Sequence, residues 1–268
     1  MTIKNQVAVK SNTDIATDVR PEWMKTDGNR GSEEVSNDDV TLPRLQIVQD
    51  LSPQHKKTKP EYIEGAEVGD FFNTVSQELY KESTLIVPVY FKLEYIIWKD
   101  QKAGGGFFGS FDTELAAKKA LPEVIAEDGG KNSDYEVVDT NVHFVLLVTG
   151  DADAPDIEQA VISMSKSQNK VSRNLNSMVR MAGGDRFSKV YRLSSCDDKN
   201  SAGQEYKNWR VKPVGWVSEA VYKSAEETYN AIIAGERKVD YSAQKSEEEA
   251  VVKRDTAPTE DFDDEFGV

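Results

Sequence analysis

The sequence lacks several features on which common structural classes depend. Its 268 residues include one cysteine, Cys196, so an internal disulfide framework and a cysteine-rich zinc site are both excluded. No apolar run approaches the roughly 20 residues of a membrane-spanning helix. The N-terminal residues also lack the apolar segment of a secretion signal. These absences predict a cytoplasmic protein with no membrane partner.

Signatures of enzymes are equally scarce. The only two histidines, His55 and His143, are far apart in the sequence, so there is no paired-histidine metal motif. There is no Gly-Lys-Ser/Thr phosphate-binding element. Cys196 stands beside Asp197 and Asp198, whose charges do not favour a reactive thiolate. We therefore predict a protein that is not an enzyme and that uses neither a metal nor another cofactor.

One pattern keeps an enzymatic alternative open. Asp197, Glu205 and Lys207 resemble the Asp…Glu-x-Lys set of metal-dependent nucleases. In such a set, two carboxylates hold Mg²⁺ and the lysine assists the attacking water. The match is loose, because Asp197 falls in a segment that is predicted to be a turn.

Acidic residues outnumber basic ones, but unevenly along the chain. There are 47 Asp+Glu and 33 Lys+Arg residues, which gives a net charge of −14. Residues 1–40 and 236–268 are both acidic and poor in large apolar side chains. This composition predicts a disordered N-terminal arm over 1–40 and a disordered acidic tail over 236–268. By contrast, residues 163–217 contain 11 basic and 4 acidic residues and form a basic island.

Residues 41–235 are predicted to fold as one domain. Runs rich in β-branched and aromatic residues, such as Leu85–Phe91, indicate strands, and Pro88 within that run indicates an edge strand or a bulge. Helices are predicted over 167–182 and Ser218–Ala234. Because strands and helices do not alternate regularly, we expect an α+β fold. The strands are expected to form a mainly antiparallel, OB-like β-barrel with inserted helices and disordered ends.

The helix predicted over 167–182 presents a row of cations. At helical spacing, four basic residues share one face with Ser177, and no acidic residue lies on that face. Phosphate groups bind to rows of positive charges and hydrogen-bond donors. An ordinary solvated face is the alternative, although such faces usually carry both signs of charge. The four candidate phosphate-binding residues are Lys166, Lys170, Arg173 and Arg180.

The next segment interleaves cations with aromatic residues in a predicted hairpin of Phe187–Leu193 and Tyr206–Pro213. Aromatic rings can stack on unpaired bases while neighbouring cations follow the sugar–phosphate backbone. Burial in the core is the alternative for each ring, including those of the glycine-rich segment Gly104–Gly109, which is predicted to be a flexible loop. The further phosphate-binding candidates are Arg186, Lys189, Arg192, Arg210 and Lys212, and the stacking candidates are Trp98, Phe107, Phe108, Tyr206 and Trp209.

The end of the chain alternates carboxylates with phenylalanine. A phenylalanine can fill an apolar pocket while carboxylates around it contact arginine and lysine. The same tail is also a tethered polyanion that can occupy the basic surface of its own protein. The candidate partner-binding residues are Glu260, Asp261, Phe262, Asp263, Asp264, Glu265 and Phe266.

The segment Asp261–Phe266 resembles the acidic, phenylalanine-bearing tip of single-stranded DNA-binding proteins of bacteria and phages. The plan of a β-rich basic core before such a tail is similar to that of phage-encoded, OB-fold members of this group. In these proteins the tip normally ends on the aromatic residue, whereas here Gly267 and Val268 follow Phe266.

The resemblance implies a protein that coats single-stranded DNA in phage replication or recombination, cooperatively or as a homo-oligomer. It also implies a tail that recruits replication or recombination proteins. A phage structural or adaptor protein that binds no nucleic acid is the other alternative.

Overall fold

The computed structural model describes residues 30–35, 41–151, 154–199 and 203–235. Residues Val40–Val268 belong to one compact unit and Met1–Asp39 to another. The predictions of disorder concern 1–40 and 236–268, which lie outside the described residues apart from an exposed turn at 30–35.

The larger unit is an α+β fold with mostly antiparallel strands, as predicted. Its described residues include three α-helices, and its described strands form two sheets. The strands are β1 (Leu45–Ile47), β2 (Phe71–Asn73), β3 (Leu79–Tyr80), β4 (Ser83–Lys99), β5 (Gly106–Phe111), β6 (Tyr135–Asp151), β7 (Ala154–Ser165), β8 (Lys189–Lys199) and β9 (Glu205–Trp216), and the helices are α1 (Glu114–Asp128), α2 (Asn169–Ala182) and α3 (Glu219–Ile233).

The large sheet is organised around β4. Its strand order is β7-β6-β4-β8-β9, and β5 also pairs with β4. The runs Leu85–Phe91 and Leu93–Trp98, which look separate in the sequence, are parts of this one strand. The register between β4 and β6 shifts between Pro88 and Tyr90, so of the two predicted alternatives the bulge is confirmed, and β4 is not an edge strand.

The small sheet, β1-β2-β3, lies against both edges of the large sheet. At the β7 edge, Arg44 makes an isolated parallel bridge with Val161. At the β9 edge, the Gln49 side-chain amide pairs with the main chain of Lys207 through two hydrogen bonds of 2.8 Å. The Phe71 ring stacks on that of Trp209, with centroids 5.2 Å apart.

No closed barrel is found among the described strands, so the predicted OB-like barrel is not confirmed. β2 and β3 contain only three and two residues and pair within the small sheet. Contact with the large sheet is therefore one isolated main-chain bridge at the β7 edge and side-chain contacts at the β9 edge, not a continuous ladder. The prediction overestimated how far the backbone pairing continues around the core.

The helices begin at the residues that their sequences indicate, with one exception. Thr113 caps α1 and Ser218 caps α3 through side-chain hydrogen bonds. α2 begins at Asn169, two residues later than predicted, because Lys166–Gln168 form a 3₁₀ turn. None of the helices in the described ranges is long and apolar enough to cross a membrane.

Removing the Phe71 ring tests how strongly the small sheet is attached. Phe71 is fully buried, so Phe71→Ala is expected to lower the free energy of unfolding by about 3–5 kcal/mol. Leu115 is exposed on α1, and Leu115→Ala is the matched control, with an expected change below about 0.5 kcal/mol. Urea unfolding measures both values. Equal changes in the two variants would show that the small sheet does not stabilise the domain.

Candidate nucleic-acid interface

The exposed face of α2 carries three of the four cations predicted to lie there. Lys170, Arg173 and Arg180 are exposed, whereas Leu175 is buried in the main core. The helix contains no acidic residue. Within the described ranges, none of these three cations forms an ion pair. Over the ten residues from Lys170 to Arg180, a helix rises about 15 Å, so the row follows a substantial length of surface.

Lys166 does not belong to this row. It precedes α2 in the 3₁₀ turn and has a φ of 50°, so it does not continue the helical spacing. Its Nζ lies 2.9 Å from Oε2 of Glu136 on β6. The structure therefore separates Lys166 from the other predicted phosphate ligands of this helix.

A second group of cations lies on the β8–β9 hairpin. Leu193 and Val211 face each other and enter the main core. Since side chains alternate between the faces of a strand, Arg192 and Lys212, the next pair along, lie on the opposite face. Arg210 is two residues before Lys212 and shares that face. All three cations are exposed, and none has an ion-pair partner in the described part of the chain.

The β8–β9 hairpin is longer than predicted, so Asp197 lies on strand β8 and not in the predicted turn. Asp197 lies on β8 directly opposite Lys207 on β9, and its Oδ1 is 2.7 Å from the lysine Nζ. Glu205 pairs with Lys199 at 3.2 Å. The described residues contain no group of three or more His, Cys, Asp or Glu side chains that could hold a metal ion. The residues of the nuclease alternative are thus engaged in cross-strand ion pairs.

Tyr206 joins the hairpin to the start of α2. Its hydroxyl donates to Oγ of Ser167 at 2.8 Å and accepts from Nδ2 of Asn208 at 3.1 Å. Asn208 also donates to Asp198, and this bond is the main cause of the lowered pKa of Asp198. Because Tyr206 is buried, its ring does not face solvent as the predicted stacking on bases requires. Its hydroxyl instead connects the hairpin to the start of α2.

The other predicted stacking rings also pack inward. Trp209 is 4% exposed and stacks on Phe71, and Trp98 packs edge-on against Phe107. Phe108 packs edge-on against Tyr135. Phe107 and Phe108 lie on β5, which is paired with β4, so the predicted flexible loop is largely a strand. In this conformation these rings serve the core and do not form a surface for bases.

Arg186 points into the protein instead of extending the phosphate path. Its Nη2 donates to Nδ1 of His143 at 3.0 Å and to Oδ1 of Asn176 at 2.9 Å, and the guanidinium lies over the Phe91 ring. Burial lowers the pKa of Arg186 to about 10. A guanidinium can only donate, so Nδ1 of His143 must accept. The histidine proton is therefore on Nε2, which donates to Ser172.

Trp216 is an exposed ring that the sequence reasoning missed. It ends β9, is 65% exposed and lies opposite Lys189, whose Nζ is 4.4 Å from the ring centroid. The strand predicted from the sequence ends at Pro213 and does not include Trp216. Its only sequence signal is a tryptophan three residues beyond that proline. The structure thus places one predicted cation, Lys189, against an aromatic ring.

The predicted partner-binding residues, Glu260 to Phe266, lie outside the described residues.

Comparison with known proteins identifies one family. The model of the Pam3 phage gp34-like protein family matches residues 10–238, a range that includes every strand and helix described above. No curated protein and no solved structure matches the chain. A phage family agrees with the phage association expected from the sequence.

The buried His143 generates a prediction about pH. Burial and the charge of Arg186 lower its pKa to about 3, whereas the same histidine in the unfolded chain titrates near pH 6.5. Below about pH 6.5 the unfolded chain therefore binds a proton that the folded protein does not, and stability falls.

Between pH 6.5 and 5, the wild type is expected to lose about 2 kcal/mol more stability than His143→Gln. Urea unfolding at the two pH values gives this difference. Equal losses in the two proteins would contradict the inward, neutral state of His143.

Proposed function

The chain belongs to the Pam3 phage gp34-like family, and from this premise we propose that it is a single-stranded DNA-binding protein. Lys170, Arg173 and Arg180 on α2 and the cations of the β8–β9 hairpin contact the sugar–phosphate backbone. The acidic C-terminal tail recruits replication or recombination proteins of the phage.

The observation that carries this proposal is that six exposed cations of α2 and the hairpin form no ion pair with a described carboxylate, although the charge of Lys170 contributes to the lowered pKa of Asp198. Some exposed lysines elsewhere on the described surface pair with acids, as Lys118 does with Glu114 and Lys223 with Glu219. In a chain with a net charge of −14, random placement would favour such pairs. The six cations of α2 and the hairpin instead remain available to an external anion. They are Lys170, Arg173, Arg180, Arg192, Arg210 and Lys212.

The hairpin arrangement favours anion binding in a second way. Arg192 and Lys212 are direct cross-strand neighbours. Like charges in such a pair repel each other and destabilise the sheet. A bound phosphate removes part of this repulsion, so the same contacts that cost stability in the free protein strengthen binding.

Trp216 supports a single strand over a duplex. Base faces are covered by neighbouring bases within a duplex but are available in an unpaired strand. An exposed indole near cations can stack on such a base, which contributes about 1–3 kcal/mol. Lys189 sits over this ring and adds a positive charge beside the stacking position.

The OB-like fold that the resemblance implies is also part of this proposal. The small sheet lies against both β7 and β9, so the edges of the large sheet meet a common element. A partly open barrel is a known scaffold for binding single strands. Cooperative or homo-oligomeric binding also remains part of the proposal.

Direct titration tests the proposed function. The protein is expected to bind oligo-dT more tightly than a duplex of equal length, with an affinity that falls as salt increases. Replacing all three hairpin cations (Arg192→Ala, Arg210→Ala, Lys212→Ala) is expected to reduce the magnitude of the salt slope by about 2, since each phosphate contact on a single strand contributes about 0.7.

A double variant, Lys118→Ala with Lys223→Ala, is the matched control because both lysines are exposed but paired with acids. It should retain the wild-type salt slope. Equal affinity for both DNA forms, or a slope that the triple variant does not change, would refute the proposed interface.

The tail gives a separate prediction. Residues 255–268 contain six acids and no base. If they compete with DNA for the basic surface, ending the chain at residue 254 should tighten oligo-dT binding by about tenfold at low salt. It should also abolish capture of replication or recombination proteins. Unchanged DNA affinity would eliminate the competition, and retained capture would eliminate the recruiting role.

A further inference from the structure

Tyr206 lies where the two cationic surfaces of the proposed interface meet. Side chains alternate along a strand, so four residues share one face of β9: Tyr206, Asn208, Arg210 and Lys212. Arg210 and Lys212 are exposed, whereas Tyr206 is 8% exposed and Asn208 is 3% exposed. The Tyr206 hydroxyl contacts Ser167, which lies in the turn before α2. The cationic face of the hairpin therefore leads directly to the start of α2.

A compact set of hydrogen bonds holds this junction together. Oη of Tyr206 lies 2.8 Å from Oγ of Ser167 and 3.2 Å from Oδ2 of Asp198. Nδ2 of Asn208 donates to the same carboxylate oxygen at 2.7 Å and to the Tyr206 hydroxyl at 3.1 Å. The bond from Asn208 is the main cause of the lowered pKa of Asp198, and the charge of Lys170 contributes to it. Lys170, the first cation of α2, is therefore close enough to the hairpin for its charge to act there.

The turn that carries Ser167 needs outside contacts to keep its conformation. Lys166 has a φ of 50°, a left-handed conformation that a lysine adopts only at a cost in free energy. Residues other than glycine persist there when the surrounding structure determines them. Side chains on both sides of the turn do this, because Lys166 pairs with Glu136 on β6 at 2.9 Å and Ser167 bonds to Tyr206 on β9. Loss of the Tyr206 hydroxyl removes the contact with β9, so the turn gains freedom to relax.

Movement of this turn changes the position of the cations on α2. The apolar contacts of Leu175 keep the helix on the core, but such contacts are not directional. A hydrogen bond depends on distance and angle, so the bond between Tyr206 and Ser167 fixes which part of the helix start faces the hairpin. Lys170 follows Ser167 by about one helical turn and moves with it.

We propose that Tyr206 is a positioning residue for DNA binding, which holds the start of α2 against the hairpin so that one strand contacts both cationic surfaces. Two surfaces that hold the same strand bind it more tightly than either surface alone, provided that their spacing fits the strand. This inference rests on the proposed single-stranded DNA binding. It gives the buried Tyr206 a role in that binding without contact between its ring and a base.

Titration of the full-length protein with oligo-dT at low salt tests the inference. Tyr206→Phe keeps the ring in the core and removes the hydroxyl, and it is expected to weaken binding about tenfold. Ser167→Ala removes the other partner of the bond and should have a similar effect. The exposed position of Ser167 makes this second variant insensitive to core packing.

The triple hairpin variant (Arg192→Ala, Arg210→Ala, Lys212→Ala) separates positioning from a general loosening of α2. In that background the strand contacts α2 alone, so the addition of Tyr206→Phe should change the affinity by less than about twofold. A general loosening of α2 would lower the affinity by the same factor in both backgrounds, and that result would overturn the proposal.

Tyr222→Phe is the matched control, since it removes a hydroxyl of α3 that bonds to Asp185. It should bind oligo-dT as the wild type does. Wild-type affinity in both Tyr206→Phe and Ser167→Ala would also overturn the proposal. Failure of the wild type to bind oligo-dT, or wild-type affinity in the triple hairpin variant, would instead overturn the proposed function, and this inference with it.

Discussion

The stacking of Phe71 on Trp209 is the contact on which the arrangement of this protein depends. It attaches the small sheet to the β9 edge of the large sheet, and Gln49 pairs with the main chain of Lys207 beside it. The attachment brings Leu45, Ile47 and Phe71 of the small sheet into the main core. It also uses one of the most prominent aromatic residues of the basic segment, so that ring is not available to DNA.

The distribution of charge follows from the same architecture. On β8 and β9, one face is committed to the core through Leu193 and Val211, so Arg192, Arg210 and Lys212 lie on the other face. On α2, Leu175 takes the inward side and Lys170, Arg173 and Arg180 take the outward side. This acidic protein thus has two exposed cationic surfaces. The spacing that places the apolar residues of these elements in the core also places their cations together on the outer side.

Periodicity predicted the features that depend on spacing alone. It predicted the α+β class, the helix start at Ser218, and the cationic row on α2. It could not predict that the 3₁₀ turn removes Lys166 from the row, since that depends on a positive φ at a single residue.

Whether a side chain points into the core or toward solvent was harder to predict than which residues share a face. Tyr206 and Trp209 lie on opposite faces of β9, and both are buried, so alternation alone could not show which rings are accessible to DNA. Arg186 has the same sequence surroundings as an exposed cation, yet it bonds to His143 inside the protein.

Hydrogen–deuterium exchange of the full-length protein, with and without oligo-dT, tests the central claim most directly. The account predicts that DNA slows exchange in α2 and in the β8–β9 hairpin, while α3, whose exposed face carries Glu219, Glu226 and Glu227, exchanges as in the free protein. Protection centred on α3, or no protection of α2 and the hairpin by a bound strand, would contradict it.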